Sequence, residues 1–175
     1  GERYTKRNIL TIFPHRSFED FPFEDVTDQL GVARWGGTGS VSFADLDLDG
    51  WDELVWERKY FPPNIYRNVD GKEFQPISRE ALASPLASPI IFTPGDFNND
   101  RLPDLFRHCC NYDSTGPTQL LENLGDLRFA DVTESSGLAY DEGAGMVVAW
   151  SDYDLDGDLD ILIGDAEGPS RLYRN

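Results

Sequence analysis

The sequence predicts an all-β chain of about three four-stranded antiparallel blades, an incomplete β-propeller. Three observations carry this. Three separate phrases recur at one period of roughly fifty residues, a length that suits one propeller blade. Each copy is flanked by short runs of the residues that strands favour. No stretch of useful length keeps the 3.6-residue apolar spacing of a helix.

The phrases fix the elements in order. The loop Asp45-Leu46-Asp47-Leu48-Asp49-Gly50 returns as Asp96-Phe97-Asn98-Asn99-Asp100-Arg101 and as Asp152-Tyr153-Asp154-Leu155-Asp156-Gly157, at intervals of 51 and 56 residues. Apolar runs such as Met146 to Trp150 and Ile161 to Ile163 flank it, so it reads as the turn of a β-hairpin. Ile65-Tyr66-Arg67-Asn68 recurs as Leu120-Leu121-Glu122-Asn123 and Leu172-Tyr173-Arg174-Asn175, a third short strand. Phe23-Glu24-Asp25-Val26-Thr27 is echoed by Phe129-Ala130-Asp131-Val132-Thr133, the latter read as a fourth strand, and each is followed by a Gly-apolar pair. The expected units are residues 23–77, 78–133 and 134–175, the last incomplete, with residues 1–22 as an N-terminal strand or linker. Phe43, Trp56, Ile91, Phe106, Trp150 and Tyr173 are expected in the core between blades. Closed propellers generally have four to eight blades. Three are therefore expected to belong to a longer chain or to close by association, and a start on Gly1 without Met suits a processed product or a piece of something longer.

With 39% hydrophobic residues and 13% aromatics the chain is built to fold, and its 32 acidic against 15 basic residues give a formal charge of -17. That field opposes nucleic acid and anionic membrane surfaces and favours cations. No apolar run is long enough to insert in a membrane. The adjacent Cys109 and Cys110 point to opposite faces of any strand, so a mutual disulfide is not expected. His15 and His108 are far apart in sequence and have no nucleophile beside them. No phosphate loop, zinc-spaced set or dinucleotide fingerprint is present, so no enzyme is expected.

Alternating acidic side chains on a tight loop can converge on one hard cation that takes six to eight oxygens. The candidate side-chain donors are Asp45, Asp47, Asp49 and Glu53 in the first loop; Asp96, Asn98, Asp100 and Asp104 in the second; and Asp152, Asp154, Asp156 and Asp160 in the third. An EF-hand would need a bidentate Glu at the twelfth position, where this chain has Trp56, Arg107 and Ile163. Closure comes at the ninth position instead. Crowded carboxylates repel by roughly 3 to 4 kcal/mol per close pair at an effective dielectric near 20, so up to three Ca²⁺ ions are expected. The second loop, with Asn98 for a carboxylate and Arg101 for a glycine, is expected to bind most weakly.

The ninth-position acid followed by Leu54, Leu105 or Ile161 resembles the FG-GAP repeat of integrin α subunits and the related VCBS repeats. The Phe-x-Asp-Val-Thr and Leu-Tyr-Arg-Asn phrases look most like the branch of cartilage acidic protein and ASPIC/UnbV proteins. The resemblance implies that the seventh-position carbonyls of Trp51, Leu102 and Asp158 complete the three sites. It also implies an extracellular, cell-surface or periplasmic adhesion scaffold for a protein or glycan partner. Two alternatives stand beside it: a propeller segment of a larger secreted lyase or hydrolase, and a subunit of a filament or ring.

Overall fold

A computed structural model describes residues 23–32, 38–58, 65–77, 91–108, 118–138, 145–165 and 168–175. Cys109, Cys110, His15 and the N-terminal residues 1–22 lie outside the described residues. The fold is all-β, with three antiparallel sheets and, among the described residues, one short helix, α1 (Thr133–Ser136), which ends on Gly137 at φ 75°.

The first sheet runs β1 (Thr38–Ala44), β2 (Glu53–Arg58), β3 (Ile65–Val69), β4 (Glu73–Pro76). The second runs β5 (Ile91–Gly95), β6 (Asp104–His108), β7 (Gln119–Asn123), β8 (Phe129–Asp131). The third has three strands, β9 (Gly145–Ser151), β10 (Asp160–Asp165) and β11 (Arg171–Tyr173). Each is a meander in which the acidic loop joins the first two strands, as the hairpin reading required. Phe129 opens a fourth strand, whereas its copy Phe23 lies outside any strand.

Strand alternation gives each sheet two faces, and the sheets stack in chain order. Val55, Ile65 and Leu46 of the first sheet pack on Phe92, Leu105 and Leu121 of the second, closed over by Leu127 and Phe129. The opposite face of the second sheet offers Phe106 and Leu120 to Ile161, Ile163, Val148 and Trp150 of the third. Phe106 and Trp150 meet edge to face with centroids 6.2 Å apart, a favoured aromatic geometry. Trp150 also lies flush on Gly95, where an added Cβ would sit 2.8 Å from the indole. The first strands β1, β5 and β9 stand next to one another in order. Between them, the Ser40 hydroxyl accepts a hydrogen bond from the Phe92 N–H at 2.7 Å.

The core expectation needs one correction. Phe43 is 55% exposed. It lies on the face of the first sheet turned away from the second, where it meets Phe74 at 6.2 Å. Alternation assigns a side chain to a face but does not say whether that face has a neighbour.

Phe129 is 3% exposed and sits in the cluster that joins the first two sheets. Phe129→Ala should lower stability by about 3–5 kcal/mol, read as a fall in the urea midpoint; a loss below 1 kcal/mol would mean that β8 does not close this core.

Candidate metal centre

The three acidic loops share one hydrogen-bond scheme. The first-position carboxylate caps its own loop: Asp45 accepts from the N–H groups of Asp49 (3.1 Å) and Gly50 (3.0 Å). Asp96 accepts from Asp100 (3.1 Å) and Arg101 (2.9 Å), and Asp152 from Asp156 and Gly157 (both 3.1 Å). The fifth-position carboxylates of Asp49, Asp100 and Asp156 accept from the N–H of Trp51, Leu102 and Asp158 at 2.8, 2.8 and 3.1 Å. Such Asx contacts fold the loop before any ligand is considered.

The ninth-position acid arrives from the second strand and is buried in each sheet: Glu53, Asp104 and Asp160 are at most 1% exposed. Each spans two elements. Glu53 accepts from the N–H of Leu46 (2.8 Å) in the loop and of Asn68 (3.3 Å) on the third strand. Asp104 accepts from Phe97 (3.0 Å) and Asn123 (2.8 Å), and Asp160 from Tyr153 (3.2 Å) and Asn175 (2.9 Å).

In the first loop, carboxylate oxygens of Asp45, Asp47 and Glu53 lie within 4.8 Å of one another, and in the third those of Asp152, Asp154 and Asp160 do the same. Asp49 and Asp156 stand outside these triads, occupied by the seventh-position amides. In the second loop Asn98 replaces the third-position acid and hydrogen-bonds Asp100 (3.1 Å) and Glu122 (3.3 Å). The residue before the third-strand Asn is Arg in the other two sheets. There Arg67 pairs with Asp47 at 2.7 Å, and Arg174 lies 4.0 Å from Asp154. The second sheet thus exchanges an acid on the loop for an acid on the strand.

Burial, assisted by the charges of Asp47 and Asp49 and opposed by the two amide hydrogen bonds, pushes the Glu53 carboxyl up to about 7. Burial likewise raises Asp104 to about 6, with Asp100 and Asp96 adding to the shift. Burial and the nearby Asp156 and Asp160 also raise Asp154. These are carboxylates held where negative charge is costly. One buried oxygen has no partner at all. The Asp47 side chain is 9% exposed; its Oδ2 meets Arg67, and its Oδ1 has no hydrogen bond. A buried acceptor left unmet costs about 1–3 kcal/mol, and a hard cation between the three carboxylates would meet it. The donor set therefore fits Ca²⁺.

The second loop is strained at the position where the other two have glycine. Arg101 takes φ 78°, beside 93° at Gly50 and 100° at Gly157, a conformation costly for a residue with a Cβ. Other features were not foreseen. Leu48, Asn99 and Leu155 also have positive φ, at 59°, 60° and 62°. The Asn that ends each third strand is a brace. Asn123 Nδ2 donates to Pro103 O (2.9 Å) in its own sheet and to Leu46 O (2.8 Å) in the loop of the preceding sheet. Asn175 reaches back to Phe97 O at 2.6 Å. The threefold recurrence of that Asn was the available signal. His108 is buried against the Thr118 hydroxyl at 2.8 Å and has a structural place.

No family model matches the chain. It is similar to cartilage acidic protein 1 of Xenopus tropicalis, 38% identical over 190 aligned positions that cover 97% of this chain and 27% of the relative. Its likeness to cartilage acidic protein 1 of Homo sapiens is 39% over 186 positions, covering 97% and 27%. For that of Mus musculus it is 38% over 168 positions, covering 95% and 24%. The chain spans about a quarter of the length of the curated relatives it matches.

Two outcomes follow from the loops. The folded pKa of Glu53 lies above its value of 4.5 in the open chain. In chelator, its contribution to stability is therefore full below about pH 4.5 and lost as pH rises through about 7. Burial of His108, opposed by Asp165, lowers its pKa and acts in the opposite direction, so the measurement is a comparison: between pH 7 and 4.5 the native chain should gain up to about 3 kcal/mol over Glu53→Gln. Parallel pH profiles of the two would overturn the assignment. Arg101→Gly should stabilise the chain by about 1 kcal/mol by relieving the left-handed backbone, seen as a higher urea midpoint.

Proposed function

We propose, taking the likeness to cartilage acidic protein 1 as premise, that this chain is a calcium-binding repeat module of the FG-GAP/VCBS type whose three sheets are propeller blades. The observation that supports it most is the unmet, buried Oδ1 of Asp47 inside the triad with Asp45 and Glu53.

The ligands would be the side chains of Asp45, Asp47, Asp49 and Glu53 with the Trp51 carbonyl. The second set is Asp96, Asn98, Asp100 and Asp104 with the Leu102 carbonyl, and the third is Asp152, Asp154, Asp156 and Asp160 with the Asp158 carbonyl. Calcium supplies positive charge where the folded chain has concentrated carboxylates, and three ions would offset about a third of the formal charge of -17. The protein's part is to pre-fold each loop through its first- and fifth-position acids and to hold the ninth-position acid in place from the neighbouring strand. Since an unfolded chain has no such loops, binding stabilises the folded state.

The role is an extracellular scaffold that presents loops to a protein or glycan partner, with no turnover of its own. The relatives are named for cartilage, an extracellular tissue, and weak calcium modules are saturated only at the roughly 10⁻⁴ to 10⁻³ M calcium found outside cells. Among the described residues no helix is long and apolar enough to cross a membrane.

Calcium at a hundredfold excess over Kd should raise stability by about 2.7 kcal/mol per independent site, and magnesium by much less. In calorimetric titrations Asp47→Ala should abolish the first site, and Asp152→Asn should cost more affinity than Asp96→Asn. Equal losses in the last two would refute the ranking of the loops, and unchanged melting in calcium would refute the metal itself.

A further inference from the structure

We propose that the first two metal sites are coupled, so that an ion in the first loop raises the affinity of the second, and that Asn123 carries the coupling from one sheet to the next. The proposal rests on the reading of these loops as calcium sites.

The route starts at Leu46. This residue lies between two members of the first donor set, Asp45 and Asp47, and its N–H donates to Oε2 of a third, Glu53, at 2.8 Å. Its side chain is fully buried in the core between the first and second sheets. Its carbonyl points out of the first sheet and accepts from Asn123 Nδ2 at 2.8 Å. Asn123 is 1% exposed and its amide is fixed on both sides: Nδ2 donates also to Pro103 O, and Oδ1 accepts from the Gly125 N–H, each at 2.9 Å. The backbone N–H of the same residue donates to Oδ1 of Asp104 at 2.8 Å. Asp104 is the buried ninth-position acid of the second donor set. Two such acids in different sheets are thus joined through one loop residue and one side-chain amide. All three bonds on the way are buried, where hydrogen bonds are strongest.

The same connection recurs one sheet later. Asp104 Oδ2 accepts from the Phe97 N–H at 3.0 Å, Phe97 O accepts from Asn175 Nδ2 at 2.6 Å, and the Asn175 N–H donates to Asp160 Oδ1 at 2.9 Å. Recurrence at equivalent positions makes the link a property of the repeat rather than an accident of one contact.

An ion between Asp45, Asp47 and Glu53 draws three carboxylates onto one point and removes the repulsion that drives them apart. Leu46, flanked by two of them and hydrogen-bonded to the third, loses freedom in the same step. A fixed Leu46 carbonyl holds Asn123, and a fixed Asn123 holds the Asp104 carboxylate where its own loop needs it. The second ion then has less ordering left to oppose it, which is positive cooperativity without a change of fold. Linkage makes the effect reciprocal, so the second ion favours the first by the same factor.

Calorimetric titration of Asp154→Ala, with the third site disabled, gives the combined association constant of the first two. Adding Asp96→Ala or Asp47→Ala to that background gives each site alone. The combined constant should exceed the product of the separate ones by about fivefold or more, and with Asn123→Ala also present the two should become equal. A purely structural brace would act the other way: a weakened fold makes metal binding and folding one event and raises apparent cooperativity. Hydrogen exchange gives a reading that needs no Asn123 variant. In a chain carrying Asp96→Ala and Asp154→Ala, calcium in the first site should slow exchange of the Asn123 amide several-fold. Equality with Asn123 in place, coupling that survives Asn123→Ala, or an Asn123 amide indifferent to calcium overturns the proposal. Absence of any binding heat overturns the calcium reading itself, and the coupling with it.

Discussion

A carboxylate buried at the mouth of a β-hairpin is an expensive thing to keep, and this fold keeps three of them. Glu53, Asp104 and Asp160 each accept one N–H from the acidic loop and one from the end of the third strand. One side chain thereby fixes the loop to its sheet and the second strand to the third. Remove it and two amides, one in the loop and one at the third strand, lose their acceptor, so the loop and the strand order depend on the same group. The packing of one sheet on the next follows from this, because Leu46 and Phe97, which enter the interfaces, are the very loop residues whose N–H groups those carboxylates hold.

Much of this was legible in the sequence, for a physical reason: a repeat must bury the same surfaces each time, so the same residue types return in register. The ninth-position acid, the hairpins and the strand order in each sheet came from that rule. What repetition does not encode is which copy has a neighbour. Phe43 has the composition of a core residue and the place of an end residue. The left-handed backbone at Arg101 was readable because glycine stands there twice, whereas that at Leu48 and Leu155 was not, since leucine rarely marks such a position. The bracing Asn was plainly recurrent but looked like an ordinary strand terminus, because its partners are carbonyls and carbonyls leave no trace in a sequence.

The loops also show how charge is shared between elements. Asp47 and Asp154 face an Arg from the third strand, while Asn98 faces Glu122. The second loop therefore loses a carboxylate from the hairpin and regains one from the strand, and no Arg from its own third strand stands against it. Its distinction from the other two is then less one of total charge than of where the negative oxygens are mounted and of the backbone cost at Arg101.

Asn123 and Asn175 each reach out of their own sheet to the loop of the one before, and Asn99 reaches forward from the second loop to Asp158 of the third at 2.6 Å. The first and second loops are each held by the sheet that follows. The array is therefore directional, like a row of roof tiles in which each course pins the one beneath it. A disturbance in one loop would then be felt in its neighbour through a single amide, without any change in the shape of the sheets between them.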